Sequence, residues 1–136
     1  MRVVEQAPAS TVAVESPADW ADQTRRILTR DLLARAAHAQ PGEARALEFR
    51  ALHLNLPLIS EVSDRLGLTE TRRGALEHHA LEGLHEAVRL FDPFGHADFP
   101  EFAGPFVEHR IRAHLPVTTL RLAVHRVALV IAGSRV

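Results

Sequence analysis

The sequence predicts an all-α protein, a compact bundle of about five helices. Three observations carry that expectation. Apolar residues recur at steps of three and four along most of the chain, and strand-like alternation is nowhere sustained. The periodic runs are bounded by helix start and stop signals such as Ser-Pro, Pro-Gly and Asp-Pro. The length of 136 residues, 46% hydrophobic and 24% charged, suits one buried core.

Residues 1–16, rich in Ala, Ser, Pro and Val, read as a loose tail, and 17–136 as a single helical domain. The tail holds Arg2 but also Glu5 and Pro8, with no continuous apolar core, so it does not read as a secretory signal. Ser16-Pro17-Ala18-Asp19 is a capping box with Pro at the first helical position. Trp20, Ile27, Leu28, Leu32 and Leu33 follow at helical spacing, which predicts a first helix over 17–38. Pro41-Gly42 breaks it. A second helix is expected over 43–66 through Leu47, Ala51, Leu54, Leu58, Val62 and Leu66, kinked or split by Pro57. Gly67 ends it and Thr69 caps a third, over 70–91, with Leu76, Ala80, Leu84 and Val88 along one face. Asp92-Pro93 stops the third helix, because a residue before proline is pushed from helical geometry. Asp98-Phe99-Pro100-Glu101 reads as a further capping box, opening a fourth helix that runs to Leu115. Pro116 closes it, and a fifth helical stretch is expected over 118–132. No stretch approaches 18 consecutive apolar residues, so no membrane span is expected.

All 16 basic side chains are Arg, set against 17 acids for a net charge of −1. That total conceals a segregated layout. Residues 1–44 and 45–91 each carry −1, residues 92–109 carry −4, and residues 110–136 carry +5 with no acid at all. His114 and His125 add positive charge there if the pH falls. Such an end is either a solvated helix face that lacks Glu, or a surface for phosphate or an acidic partner. The segment 118–132 is apolar nearly all round, which favours a protein contact over an exposed DNA-reading helix.

No enzymatic activity and no cofactor are expected. The chain has no Cys, hence no disulfide framework, thiolate nucleophile or Cys-based zinc site, and a reducing, cytoplasmic compartment fits. No Ser lies in a G-x-S-x-G context, and the seven Gly are too scattered to cradle a phosphate. His78, Glu82 and His85 share one face of the third helix at i, i+4 and i+7, a spacing that would hold zinc given further ligands. With no HExxH motif and no Cys partner, no metal site is expected.

Three blocks then occur in order. They are Asn55-Leu56-Pro57-Leu58-Ile59, Gly83-Leu84-His85-Glu86-Ala87-Val88-Arg89-Leu90-Phe91-Asp92-Pro93, and Phe99-Pro100-Glu101-Phe102-Ala103-Gly104-Pro105 followed by Ile111-Arg112-Ala113-His114-Leu115. Together, over residues 53–115, they resemble region 2 of the sigma-70 family of transcription initiation factors, in the style of its stress-response and sporulation branch. The resemblance implies a region 2 helical fold. It implies a contact between the third helix and the β′ clamp of RNA polymerase core, here through Leu76, His78, His79, Glu82 and Glu86. It also implies contact with −10-like promoter DNA through Phe99, Phe102, Phe106, Arg110, Arg112, Arg121 and Arg126. Stacking of a base on an aromatic ring contributes about 1–3 kcal/mol in single-strand binders.

Departures from the pattern qualify what is implied. Where the family carries D-L-x-Q, this chain has Ala75-Leu76-Glu77-His78. Where the family carries Ser-Thr-Tyr, it has Pro100-Glu101-Phe102, and Glu101 would repel a phosphate backbone. No region 4 helix-turn-helix follows, so a complete, standalone sigma factor is not expected. An alternative is a non-initiating sigma mimic that binds an anti-sigma factor or other regulator. A third reading is an unrelated helical bundle whose basic end meets some other acidic partner.

Overall fold

A computed structural model describes residues 16–116. Among these residues there are five helices and no strand: α1 (Pro17–Ala36), α2 (Pro41–Leu54), α3 (Pro57–Arg65), α4 (Glu70–Leu90) and α5 (Phe99–Ala113). The protein is an all-helical bundle. None of these helices is long and apolar enough to cross a membrane. The expected segment 118–132 and the tail before Ser16 lie outside the described residues.

Local chemistry sets the helix ends. The Ser16 hydroxyl accepts from the Asp19 N–H at 3.2 Å, and the Asp19 carboxylate accepts from the Ser16 N–H at 3.1 Å, completing the expected capping box. Thr69 caps α4 by accepting from the Arg72 N–H at 3.2 Å. Gly67 takes a positive φ of 68° after α3, a conformation open to Gly at no steric cost.

Two expectations need correction. The run 43–66 is split at Pro57 into α2 and α3, as expected, but α2 starts at Pro41, which opens this helix rather than only breaking the one before. Proline has no N–H to bond back into a preceding turn, but at a first helical position none is needed, so Pro41 and Pro57 each open a helix. The second capping box does not form. Asp98 makes no cap hydrogen bond, because a guanidinium takes both acids: Arg26 pairs with Asp98 at 3.3 Å and with Glu101 at 2.9 Å.

The core is built from the predicted stripes only in part: Trp20, Ile27 and Leu28 of α1 are exposed and Leu54 and Leu66 are half-buried, because α1 meets the bundle only through the face that carries Leu32 and Leu33. Leu32 and Leu33 of α1, Leu47 and Ala51 of α2, and Leu58 and Val62 of α3 meet the inner faces of α4 and α5. Helices α4 and α5 run antiparallel and form the most extensive helix pair, while α1 packs chiefly on α2. They approach each other tightly at Gly83. A Cβ there would lie 2.6 Å from the Phe106 carbonyl oxygen and 3.0 Å from Arg110 Cγ. Beyond this crossing Phe91, Phe99, Phe102 and Phe106 form a chain of ring contacts, with centroids 5.3 Å apart for Phe91–Phe99, 5.5 Å for Phe91–Phe102 and 5.0 Å for Phe102–Phe106.

Polar groups fasten the apolar layers. Asn55, only 2% exposed, donates to the Thr29 hydroxyl and to the Ala51 carbonyl, both at 2.8 Å, and Thr29 in turn donates to the Arg25 carbonyl at 2.7 Å. This chain ties α1 to the α2–α3 turn. Arg30 crosses from α1 to the loop before α5, donating to the carbonyls of Pro93 at 2.6 Å and Gly95 at 3.0 Å, and to that of Ala97. Its guanidinium also lies 5.4 Å from the Phe91 ring centroid. Among the described residues no buried side-chain polar atom lacks a hydrogen-bond partner.

Gly83→Ala is expected to cost about 1–3 kcal/mol in urea unfolding despite the better helix propensity of Ala, because the neighbour it meets is backbone. Unchanged or raised stability would show that α4 and α5 can move apart freely. Asn55→Ala is expected to lose about 1–3 kcal/mol in the same measurement, since two hydrogen bonds disappear from a dry site.

Candidate partner-docking face

Helix α4 has two faces. The inner one carries Leu76, Ala80, Gly83, Leu84, Ala87 and Val88, all buried. The outer one carries His78, Glu82, His85, Glu86 and Arg89. Among the residues expected to touch a partner, Leu76 therefore needs correction: it is 6% exposed and belongs to the core. Helical periodicity is the reason, because Leu76 lies four residues before Ala80 on the same inward stripe. His78 is open, with 82% of its side chain exposed, while His79, Glu82 and Glu86 are partly covered.

Glu82 is the centre of this face. Its carboxylate accepts from His79 Nδ1 at 3.2 Å, lies 3.8 Å from His78 Nε2, and pairs with Arg110 at 3.9 Å. Arg110 reaches on to Glu86 at 3.7 Å. The hydrogen bond from His79 holds the Glu82 carboxyl below its ordinary value, helped by the charges of His78 and Arg110 and opposed by partial desolvation.

Hollows flank this ridge on both sides. Between α2 and α4 lies a groove of about 440 Å³, its floor formed by Phe49, Leu52 and Leu81 and its rim by Arg45, Glu48, His78, Glu82 and His85. On the other side a hollow of about 430 Å³ is bounded by Glu82, His85, Glu86, Arg89, Leu90 and Arg110. It is followed along α5 by one of about 590 Å³ that includes Phe106, His109 and His114. Phe49 is 59% exposed and Leu90 60% exposed, so apolar surface stands open on either side of a charged ridge.

Phe49 was not among the expected contact residues. It lies before the block-bearing stretch 53–115, but a signal was present. Phe49 falls out of phase with the buried Leu47 and Ala51, which places a large apolar side chain on an outer face.

The expected nucleic-acid set is brought together only in part. Phe99 needs correction: at 2% exposed and packed edge-on against Phe91, its ring offers no face to a base. Phe102 and Phe106 are half-buried and touch each other. Arg110 is engaged by Glu82 and Glu86, and Arg112 by Glu108 at 3.1 Å. Arg121 and Arg126 lie outside the described residues. The acidic stretch 92–109 is also not an isolated negative patch. Arg26 takes Asp98 and Glu101, Arg65 and Arg112 take Glu108, and Asp92 accepts from the Phe94 N–H at 3.0 Å. Folding thus pairs much of the charge that the linear sequence separates.

His78, Glu82 and His85 do not close into a coordination sphere, and among the described residues no group of three or more His, Asp or Glu is placed to hold a metal ion.

Because the Glu82 carboxyl is held low in the folded protein, its contribution to stability is present above the ordinary carboxylate value of 4.5 and is lost as pH falls through the folded value. Wild-type protein is expected to out-melt Glu82→Gln at neutral pH, with the two thermal curves converging at acidic pH. A constant offset between them at every pH would remove Glu82 as the titrating group.

Comparison with protein-family models, with curated proteins and with solved structures finds no match, so the chemistry of this face rests on its own residues and geometry.

Proposed function

We propose that this protein is a transcription regulatory module of the sigma-70 region 2 type, which acts through a protein contact made by the outer face of α4 and has RNA polymerase core as its partner. The observation that carries the proposal is the ridge of His78, Glu82, His85 and Glu86, bordered on one side by a groove lined by Phe49, Leu52 and Leu81 and on the other by a mostly charged hollow beside the exposed Leu90. Large aromatic and aliphatic side chains beside oriented charges are what a protein interface needs at its centre. The apolar groups supply burial at roughly 25 cal/mol per Å², and the charges fix register and orientation. The resemblance of residues 53–115 assigns the same helix to polymerase docking. The residues that would read promoter DNA point the other way, since Phe99 is in the core and Arg110 and Arg112 are held by carboxylates of this chain. A protein contact therefore takes precedence over DNA as the primary activity.

A second reading, a sigma mimic that binds an anti-sigma factor, is favoured by one specific feature. Ala75-Leu76-Glu77-His78 replaces the acid and the Gln through which the family meets the clamp.

Retention on immobilised, purified core polymerase separates these readings. Core is expected to be retained by the wild-type protein, and Glu82→Lys and Phe49→Ser are each expected to weaken retention by about tenfold or more, equivalent to about 1.4 kcal/mol. Failure to retain core, together with binding of a purified anti-sigma factor that the same substitutions weaken, assigns the mimic function instead. Retention of core unaffected by either substitution removes the α4 face as the site.

A further inference from the structure

Helix α1 meets the bundle through Leu32 and Leu33 and turns its opposite side outward. Trp20, Thr24, Ile27 and Asp31 follow one another there at steps of four, three and four, with Leu28 and Arg35 in the adjoining row, and all six are exposed. We propose that this stripe is a self-association surface, on which a second copy of the chain lays its own α1 antiparallel, about a two-fold axis between Ile27 and Leu28.

The occupant follows from the order of residues along the stripe. A two-fold contact is self-complementary, so each pairing across it occurs twice. With the axis between Ile27 and Leu28, residues equally far from it on either side face each other. Ile27 then packs on Leu28 of the second copy at the centre. Thr24 meets Asp31, and its hydroxyl is a donor for a carboxylate that only accepts. Trp20 meets Arg35, and an indole face is the best aromatic seat for a guanidinium. Parallel alignment in register does the reverse, setting Asp31 against Asp31 and Arg35 against Arg35, where like charges repel. Within one chain Arg35 reaches Asp31 at 3.7 Å, with both side chains more than half exposed. Such a pair contributes little by itself and is readily shared with a second copy.

A bare helix pair is a small contact. With 20 residues α1 is about 30 Å long, whereas specific complexes bury about 800 Å² per partner. The surface beside the stripe widens the contact. A hollow of about 390 Å³ opens between α1 and the loop before α5, with Ile27, Asp31, Ala34 and Pro93 in its lining. Ala34 adjoins Arg35, so Trp20 of the second copy stands at the mouth of this hollow. Phe94 is exposed on the same loop, its ring centroid 5.8 Å from that of His38 just beyond α1. Two indoles seated in two hollows, around a central Ile27 and Leu28, are anchors of the kind that carry interface energy. Among the described residues, none of the stripe lines the hollows of the α4 ridge. The dimer therefore leaves that ridge open, and the inference does not rest on the function proposed above.

Sedimentation equilibrium of the full-length protein is the test. The average mass is expected to rise from one chain toward two between about 5 and 500 μM, the range for a contact of this size. Ile27→Asp sets carboxylates beside the axis and is expected to weaken dimerisation by about tenfold or more. Because Ile27 is exposed, the melting temperature of the dilute protein is expected to stay unchanged. The chain has no Cys, so introduced cysteines report the register. An equal mixture of Thr24→Cys and Asp31→Cys proteins is expected to oxidise to the mixed disulfide. Thr24→Cys alone is expected to stay uncross-linked, because the two Thr24 positions of an antiparallel pair lie about 10 Å apart along the helix axis. A mass of one chain at every concentration overturns the proposal, whether solvent or other residues of the same chain cover the stripe. A dimer that Ile27→Asp leaves intact, or a disulfide formed by Thr24→Cys alone, overturns it as well. Retention on core polymerase uses none of these residues, so failure of dimerisation and failure of docking are read separately.

Discussion

The close approach of α4 and α5 at Gly83 is the constraint on which the rest of this structure depends. With a backbone carbonyl 2.6 Å from where a Cβ would stand, only Gly allows the two helices this spacing. That spacing sets the register of everything along the pair. It brings Arg110 opposite both Glu82 and Glu86, His114 onto His79, and Phe102 beside Phe91. Moving the helices apart by an ångström would weaken the packing, the ion pairs and the ring stack together, because one rigid pair supports all three.

The remaining helices are joined to this pair by polar groups used as fasteners. Arg30 is the clearest example. One guanidinium satisfies three carbonyls of the loop between α4 and α5 while lying over Phe91, so a loop with few backbone partners of its own is fixed to α1. Asn55 does the same where proline interrupts the chain. Pro57 forces a turn between α2 and α3, and the Asn55 amide links that turn to Thr29 on α1. Proline and asparagine in this block thus divide the labour, one ending a helix and the other anchoring the end it makes.

Much of the fold was legible in sequence because capping and periodicity act locally. Ser16 and Asp19, Thr69, Gly67 and the inward stripe of α4 each behave as a short window of residues dictates. The failed capping box has its origin in a partner distant along the chain. Asp98 and Glu101 fit a capping box locally, yet Arg26, more than 70 residues earlier, is a stronger partner than a backbone N–H. Leu76 and Phe99 match the positions of contact residues in a family pattern, but Leu76 shares the apolar face of Ala80, Leu84 and Val88, and its periodicity outweighs the pattern. The outward position of Phe49 was implied by its phase, although the groove it lines together with Leu81 was not.

The charge layout shows the division most clearly. By itself the sequence determined that the protein is helical and where most of its helices begin and end, and it placed four acids next to an acid-free, Arg-rich end. Only the tertiary structure decided what those charges do. Within the described residues Arg26, Arg65, Arg110 and Arg112 are spent on carboxylates of the same chain, those of the α4 ridge included. The physical reason is range: helix caps and periodicity act over three or four residues, whereas an ion pair or a ring stack needs only proximity in space, which the packing of α4 on α5 creates.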